Sequence, residues 1–494
     1  MVKSNETQSA SLNLRCKTQA NPVNAEQVNT GSFLPERLTL YIPENFDIDE
    51  LLRETPPNFK YHRDNFVYLV HLITDIPTRH KDEDMFYVPF YSVLIQRRVR
   101  EYRKYLDYLV KQKVLVEDRQ YITGKKSRGF RFSQNYQTPI KPTVITKFTL
   151  IKSILRYIDL DFKPSDVHTF DEEINEPELT YLLKWFDGNL KVDFVGAKEY
   201  LLNLYLQEKQ AHNIFTTKKP CNAMARFNSR YLTLLKLHRQ EFLHTIDSTA
   251  GRLHTILTQL KGDLRQFVTY DGKPLIAVDI TNSQPYLSTV LLNKQKFEEN
   301  NILPIIKQYN NSFKTQDKFN PLPYYVSKKV GNAYNSENIK NYIDIVKSGL
   351  LYEEFGKILL EKRIIEDDIP IRKQAKTIIF SSIFSPNQSI AYNESIKVFK
   401  EIFPDVYEIF RVIKQNEHRT LACLLQNLEA KLVLHTACKI ISEERPEIPL
   451  FTLHDSIITT VGNEEFVYQV LYSVLLNGIG IPPTLKYEKW EKVA

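Results

Sequence analysis

Cysteine is scarce: the 494 residues hold four, Cys16, Cys221, Cys423 and Cys438. They are scattered and form no CxxC pair, which speaks against a zinc site or a disulfide framework. Free thiols in a reducing, cytoplasmic compartment are expected instead. Long apolar runs are missing as well. Stretches such as LLNLYL and VLYSVLL are broken by polar residues within a turn or two, so no span of a bilayer and no membrane partner is expected. The N-terminus has no signal-peptide core, which argues against secretion. No internal repeat is visible. No Asp-x-Glu in a strand-like setting precedes residue 240, and Asp82-Glu83-Asp84 sits in a polar, charged run that reads as a solvated loop. A two-carboxylate nuclease site is therefore not expected in the first half.

What is present is ordinary in bulk and informative in detail. Lys and Arg number 66 against 59 Asp and Glu, a formal excess of +7 that suits a nucleic-acid partner without requiring one. The length allows two or three domains. Residues 1–34, rich in Ser, Asn, Gln and Thr, read as a flexible tail. Residues 35–145 look like one compact unit. Val99, Tyr102, Leu106 and Leu109 recur at helical spacing, with Arg97, Arg100, Arg103 and Lys104 mostly on the other side. Short β-prone runs follow around residues 114–116 and 121–123, then a tip carrying Lys125, Lys126 and Arg128, then a third run at 130–132. A basic helix followed by a hairpin with a cationic tip resembles a winged helix-turn-helix. In that reading Arg100, Arg103, Lys104, Lys125, Lys126 and Arg128 meet phosphates. The plainer reading is a helix–hairpin packing unit with a solvated basic face. Residues 146–246 are mainly helical, end in a basic segment from Arg230 to His244, and read by position as a connector or thumb-like region.

Chemistry enters in the second half. Ile276-Ala277-Val278-Asp279-Ile280 is an apolar run ending in Asp, a buried strand that can deliver a hard oxygen ligand to a divalent metal. Residues 449–460, PLFTLHDSIITT, are two β runs meeting at His454-Asp455, where a second carboxylate can join the first. Between them, on a predicted helix, Arg372, Lys376, Phe380 and Phe384 lie along one side at four-residue spacing. Cations on the first turns can grip phosphates, and the aromatics beyond can stack on a base or sugar. Each feature alone has a structural explanation: a turn-forming Asp, a hairpin corner, an amphipathic helix with Ile378, Ile379 and Ile383 in the core.

Together, and in this order, they are hard to treat separately. RKQAKTIIFSSIFS resembles the fingers-helix signature of the family A DNA polymerases, AVDITNSQPYL their palm motif A, and TLHDSIIT their motif C. Upstream, Ser248-Thr249-Ala250-Gly251-Arg252-Leu253 resembles the thumb–palm junction motif, whose Arg contacts the primer–template. Downstream, Leu425-Gln426-Asn427-Leu428-Glu429-Ala430 is similar to the helix before motif C, whose Gln touches the template or primer side. The resemblance implies an α+β fold: a right-hand polymerase with an antiparallel palm sheet and helical fingers and thumb, preceded by the winged-helix-like unit. Palm and fingers would occupy residues 247–494, the fingers about 295–400.

The resemblance further implies that Asp279, Asp455 and the Ile280 carbonyl hold two Mg²⁺ ions, with Mn²⁺ as a substitute. Arg372 and Lys376 would bind the triphosphate, and Lys376 could protonate pyrophosphate. Phe380 and Phe384 would flank the incoming nucleotide, and His454, Arg252 and Gln426 would lie on the primer–template. Three departures bear on sugar choice. The Ser-Gln pair after Asp279 comes two residues late, so that the family's sugar-gating Glu aligns with Tyr286. Ser456 replaces the usual Glu, as in phage-type single-subunit RNA polymerases, and Phe384 stands where Tyr is usual. DNA synthesis from dNTPs on a primer–template is the leading expectation, for a phage, plasmid or other mobile element. An RNA polymerase or primase-like enzyme using rNTPs, and a non-catalytic nucleic-acid-binding scaffold, are the alternatives.

Overall fold

The computed structural model describes residues 35–79, 85–118, 127–160, 179–211, 222–247, 249–310, 326, 328–330, 336–365 and 369–491. The expected tail 1–34, the strand at 121–123, Lys125 and Lys126, residues 82–84, Ser248, Cys16 and Cys221 lie outside them. The fold is mixed helix and sheet, and every described strand pair is antiparallel.

The first unit runs β1 (Leu38–Pro43), α1 (Ile48–Glu54), α2 (Arg63–Thr78), β2 (Val88–Phe90), α3 (Ser92–Arg98), α4 (Tyr102–Lys111), β3 (Leu115–Asp118), β4 (Arg128–Phe132) and β5 (Ile140–Ile145). β1 pairs with β5 and closes the unit on itself, while β2, β4 and β3 form a three-stranded sheet in that order. α2 is buried almost all round. Phe66, Val67, Leu69 and Val70 share one core with Leu106 and Leu109 of α4 and Phe130 of β4. The helix expected from Arg97 onward is in fact two. α3 stops at Arg98, Val99 is extended, and Glu101 takes a φ of 55° before α4 begins. The break buries Ile95 and Val99 in the same core as Leu106 and Leu109. It also separates Arg97 and Arg100 from Arg103 and Lys104.

Next come α5 (Phe148–Leu160), β6 (Leu190–Val192), α6 (Phe194–Ala211), α7 (Ala223–His238) and β7 (Thr245–Ile246). This stretch is mainly helical as expected, but β6 is a strand of the large sheet, paired with the β9 strand described below. The basic residues here face inward more than the sequence suggests. Arg226 and Arg230 both reach Glu208, and Lys236 reaches Asp75 of α2 at 2.6 Å. Asp75 also accepts from Arg79 at 2.8 Å, and the Tyr41 hydroxyl donates to Glu241 at 2.8 Å. These contacts fix the N-terminal unit against α7. Although burial works the other way, Arg79 and Lys236 hold the Asp75 carboxyl well below its usual range. Asp75→Asn is therefore expected to destabilise the protein by about 2 kcal/mol. That is less than for a fully buried pair, because Arg79 can return to water. The loss should shrink as pH falls through the carboxylate range, since stability from a depressed Asp is present only while it is ionised. Urea denaturation at two pH values measures both.

The remaining elements include β8 (Leu253–His254), β9 (Val268–Tyr270), β10 (Lys273–Ile280), α8 (Ser283–Ser288), α9 (Leu351–Glu361), α10 (Ile371–Phe384), α11 (Pro404–Ile413), α12 (Thr420–Ala430), β11 (Phe451–Leu453), β12 (Ser456–Thr460), α13 (Glu464–Ile479) and β13 (Leu485–Lys489), with further helices among them. The six-stranded sheet runs β11-β12-β10-β9-β6, with β13 on the other edge of β10. β10 is thus flanked on both edges and covered on both faces, which is why its sequence is a continuous apolar run. Val278 and Ile280 enter the large helical core. Leu275 and Ala277 enter a smaller one with Phe451 and Ile458. Strand alternation puts Asp279 on the Leu275 and Ala277 face.

Candidate functional site

His454 and Asp455 form a two-residue corner between β11 and β12, and it lies against the end of β10. Asp279 stands opposite Ser456 in the register, and the Ile280 amide donates to the Asp455 carbonyl at 3.2 Å. His454 takes a φ of 52°, a left-handed conformation that a non-glycine residue adopts at some cost. The two Asp residues, far apart in sequence, are near enough to act on each other. Burial first, then the charge of Asp455, push Asp279 up to about 6, with the Lys486 ammonium pulling back. Burial also raises Asp455, opposed by Arg252, the Ser283 hydroxyl and Lys376.

Arg252 follows a tight turn between β7 and β8. Asp247 closes that turn by accepting from the amides of Thr249 and Ala250, and Gly251 supplies a φ of 68°. The Arg252 guanidinium is not free. Its Nε and Nη2 donate to the two carboxylate oxygens of Glu429 at 2.8 and 2.9 Å. Gln284 Nε2 donates to the same carboxylate at 2.7 Å, and the Ser283 hydroxyl lies 3.5 Å from it. Glu429 is 1 % exposed. Burial pushes it up to about 7, Arg252 draws it down, and Asp455 adds to the rise. The late Ser-Gln pair therefore reaches the site after all. Asn282, with a φ of 53°, turns the chain so that Ser283 and Gln284 open α8 beside Glu429. Gln426 is half-buried on α12, three residues before Glu429. The His454 ring lies 5.7 Å from that of His254, edge to face, and His254 reaches Asp247 at 3.4 Å.

α10 forms where the sequence predicts it. Ala375, Ile379 and Ile383 anchor it in the core, while Ile378 is only half-buried. Arg372 and Lys376 are exposed, and Phe380 and Phe384 are half-buried with their rings 5.4 Å apart. Arg372 reaches Glu353 at 2.7 Å and lies 5.3 Å over the Tyr352 ring, while Lys376 lies 5.7 Å over Phe380 and its charge acts on Asp455.

Two groups of expected site residues are placed differently. Tyr286 is 1 % exposed, sits in the large core, and donates its hydroxyl to the Ile481 carbonyl at 2.9 Å. Two residues along a helix turn the side chain by roughly 200°, so if Gln284 faces Glu429, Tyr286 must face away. The expected sugar-facing ring is thus enclosed in the core of this structure. In the N-terminal unit the cations are partly consumed. Arg103 and Arg128 both bind Glu117, and Lys104 binds Glu101, while Arg100 is exposed in the turn between helices. Pairing of β3 and β4 brings Glu117 alongside Arg128, so one carboxylate answers two of the expected cations.

Sequence reasoning missed Glu429, Lys486, Glu353 and Tyr352. Glu429 carried a usable signal: a lone carboxylate on a helix otherwise lined by Leu424, Leu425, Leu428 and Ala430 demands a buried partner. Lys486 carried none, since KYEK reads as an exposed strand.

No protein-family model matches the chain, nor does any curated protein sequence. Among solved structures it is similar to the POL domain of Pol1 from M. smegmatis, in a complex with DNA primer-template and dNTP. Identity is 12 %, the TM-score is 0.34, and the match covers 69 % of this chain and 73 % of that one. At that score the likeness assigns neither family nor activity. Among the described residues no helix is long and apolar enough to cross a membrane, and Cys423 and Cys438 are buried free thiols.

Proposed function

We propose that this chain is a template-directed nucleotidyltransferase, a DNA polymerase of the family A type that extends a primer with dNTPs. The register carries the reading: it sets Asp279 against Ser456, the residue after Asp455, and the Ile280 amide donates to the Asp455 carbonyl, with the charge of Lys376 acting on Asp455. Two carboxyls raised by burial, with the charge of Asp455 adding to the rise at Asp279, are the donor chemistry of a hard divalent cation. Among the described residues no cluster of three or more His, Cys, Asp or Glu side chains is placed to hold a metal. The ligands would thus be Asp279, Asp455 and a main-chain carbonyl such as that of Ile280. Bound Mg²⁺ or Mn²⁺ would supply an activated primer hydroxyl and charge stabilisation at the transferring phosphate.

The chain's own residues do the rest. Arg372 and Lys376, one turn apart on α10, bind and orient the triphosphate, Arg372 by exchanging Glu353 for phosphate oxygens. Lys376 would give a proton to the departing pyrophosphate. Phe380 and Phe384 present an aromatic surface to the base or sugar. Arg252, Gln426 and His454 line the primer–template side. Residues 247–494 would then be palm and fingers, 146–246 connector and thumb. The order helix, strand, two helices, two strands from α2 to β4, with β4 between β2 and β3, supports a winged helix-turn-helix in 35–145.

Primer extension tests the proposal, with dNTPs and rNTPs side by side and with and without primer. Extension by wild type with dNTPs, absent in Asp455→Asn, is expected. No extension by wild type, or undiminished extension by that variant, would sink it; extension with rNTPs alone would make the enzyme an RNA polymerase or primase. Lys376→Ala and Arg372→Ala are each expected to lower kcat/KM for dNTP by about 10²- to 10³-fold, the scale of losing one preorganised donor to a developing charge. Arg372→Ala should act more on KM, because its ion pair with Glu353 is already half-exposed and its role is binding.

A further inference from the structure

β13 runs antiparallel beside β10, and Lys486 is the residue directly across from Asp279. Residues directly opposite on neighbouring strands project to the same face, so the register itself brings them together. Lys486 Nζ lies 3.1 Å from Asp279 Oδ2. Alternation sends Tyr487 to the other face, where its ring lies 5.6 Å from that of Tyr468 on α13. Glu488 returns to the Asp279 face but is engaged by Arg265 at 3.1 Å. Lys486 is therefore the cation that answers Asp279 on this edge. The two partners are unequal in their access to water: the Lys486 side chain is 54 % exposed and that of Asp279 20 %. The ammonium can leave for solvent on its flexible stem, and the carboxylate cannot.

A divalent cation on Asp279 and an ammonium 3.1 Å from the same carboxyl repel each other. We propose that Lys486 is a built-in competitor for the Asp279 side of the metal site, disfavouring a bare divalent cation and favouring one that arrives with an anionic triphosphate. The proposal rests on the nucleotidyltransferase reading of the site. A bare cation must displace the ammonium to water. A cation bound to a triphosphate brings negative charge with it, and the ammonium beside the site is then no longer opposed.

The test is Mn²⁺ binding to the full chain, followed by the electron paramagnetic resonance signal of free Mn²⁺, with and without a non-hydrolysable dNTP analogue. Without nucleotide, Lys486→Met is expected to bind Mn²⁺ about tenfold tighter than wild type, ~1.4 kcal/mol, and with nucleotide the difference should fall below about threefold. Lys486→Arg keeps the charge and should match wild type. Equal bare-metal affinity of wild type and Lys486→Met, with Asp279→Asn weaker than both, would overturn the proposal while leaving the metal site intact. A Lys486→Arg variant that behaves like Lys486→Met would overturn it too, because charge would not be the cause. Mn²⁺ binding unchanged in Asp279→Asn would instead overturn the reading of the site itself.

Discussion

Replacing Asp279 by Asn is expected to abolish primer extension and, at the same time, to make the metal-free protein more stable above pH 6. The activity loss should reach about 10³-fold or more, as for removal of a group that stabilises developing charge. The stability gain follows from the raised pKa of Asp279. Asp279 moves from 3.8 to about 6 in the fold, with burial the larger cause and Asp455 the next. A carboxyl raised on folding binds its proton more tightly in the native state than in the unfolded one. Ionising it therefore costs the fold stability as pH rises from about 4 through 6, and above 6 the cost is complete. Asn carries no such charge. In EDTA, the variant should match wild type near pH 4 and exceed it by about 2 kcal/mol at pH 8. Its loss of the half-exposed Lys486 contact subtracts little, since surface pairs contribute about 0–1 kcal/mol. Thermal unfolding across that range provides the measurement. An Asn variant less stable than wild type at pH 8 would mean that burial and Asp455 do not penalise the Asp279 carboxylate.

The second large effect is an asymmetry within the pair formed by Arg252 and Glu429. Glu429→Ala should destabilise the protein by about 3 kcal/mol, because a guanidinium cannot shed its proton and would be left largely buried without the carboxylate that accepts from it. Gln284 would lose its acceptor as well. Arg252→Met should cost less. Glu429 already sits at about 7, and without its cation it can protonate and remain buried as a neutral acid. Both variants should reduce kcat/KM by about 10²-fold, since a small misplacement of a positioning group has that effect. Glu429→Gln keeps an acceptor for Gln284 and should fall between wild type and the Ala variant in stability. Chemical denaturation of the three variants gives the order. An Arg252→Met protein less stable than Glu429→Ala would contradict it.

Local features of the site were legible in the chain. The run ending at Asp279 is apolar because β10 is covered on both faces. The corner at His454-Asp455 and the helix carrying Arg372 to Phe384 follow from periodicity and turn chemistry, which act between near neighbours, while the helix carrying Gln426 came only from the family resemblance. The same local rules failed where tertiary packing overruled them. A continuous helix through residues 97–109 gave way to a break that buries both Ile95 and Val99. Tyr286, assigned by alignment to a sugar, belongs to the core because a helix turns two residues to opposite sides.

By itself, then, the sequence determined which carboxylates, cations and aromatics could serve one site, and on which elements they ride. Only the tertiary structure decided their company. Glu429 answers Arg252 and Gln284 from another helix, Glu117 draws off Arg103 and Arg128, and Lys486 meets Asp279 through the register of β13. A slip of one residue in that register would turn Lys486 to the opposite face. Such pairings join residues distant in the chain. Their geometry is set by strand register and close packing, which no local pattern of residues encodes.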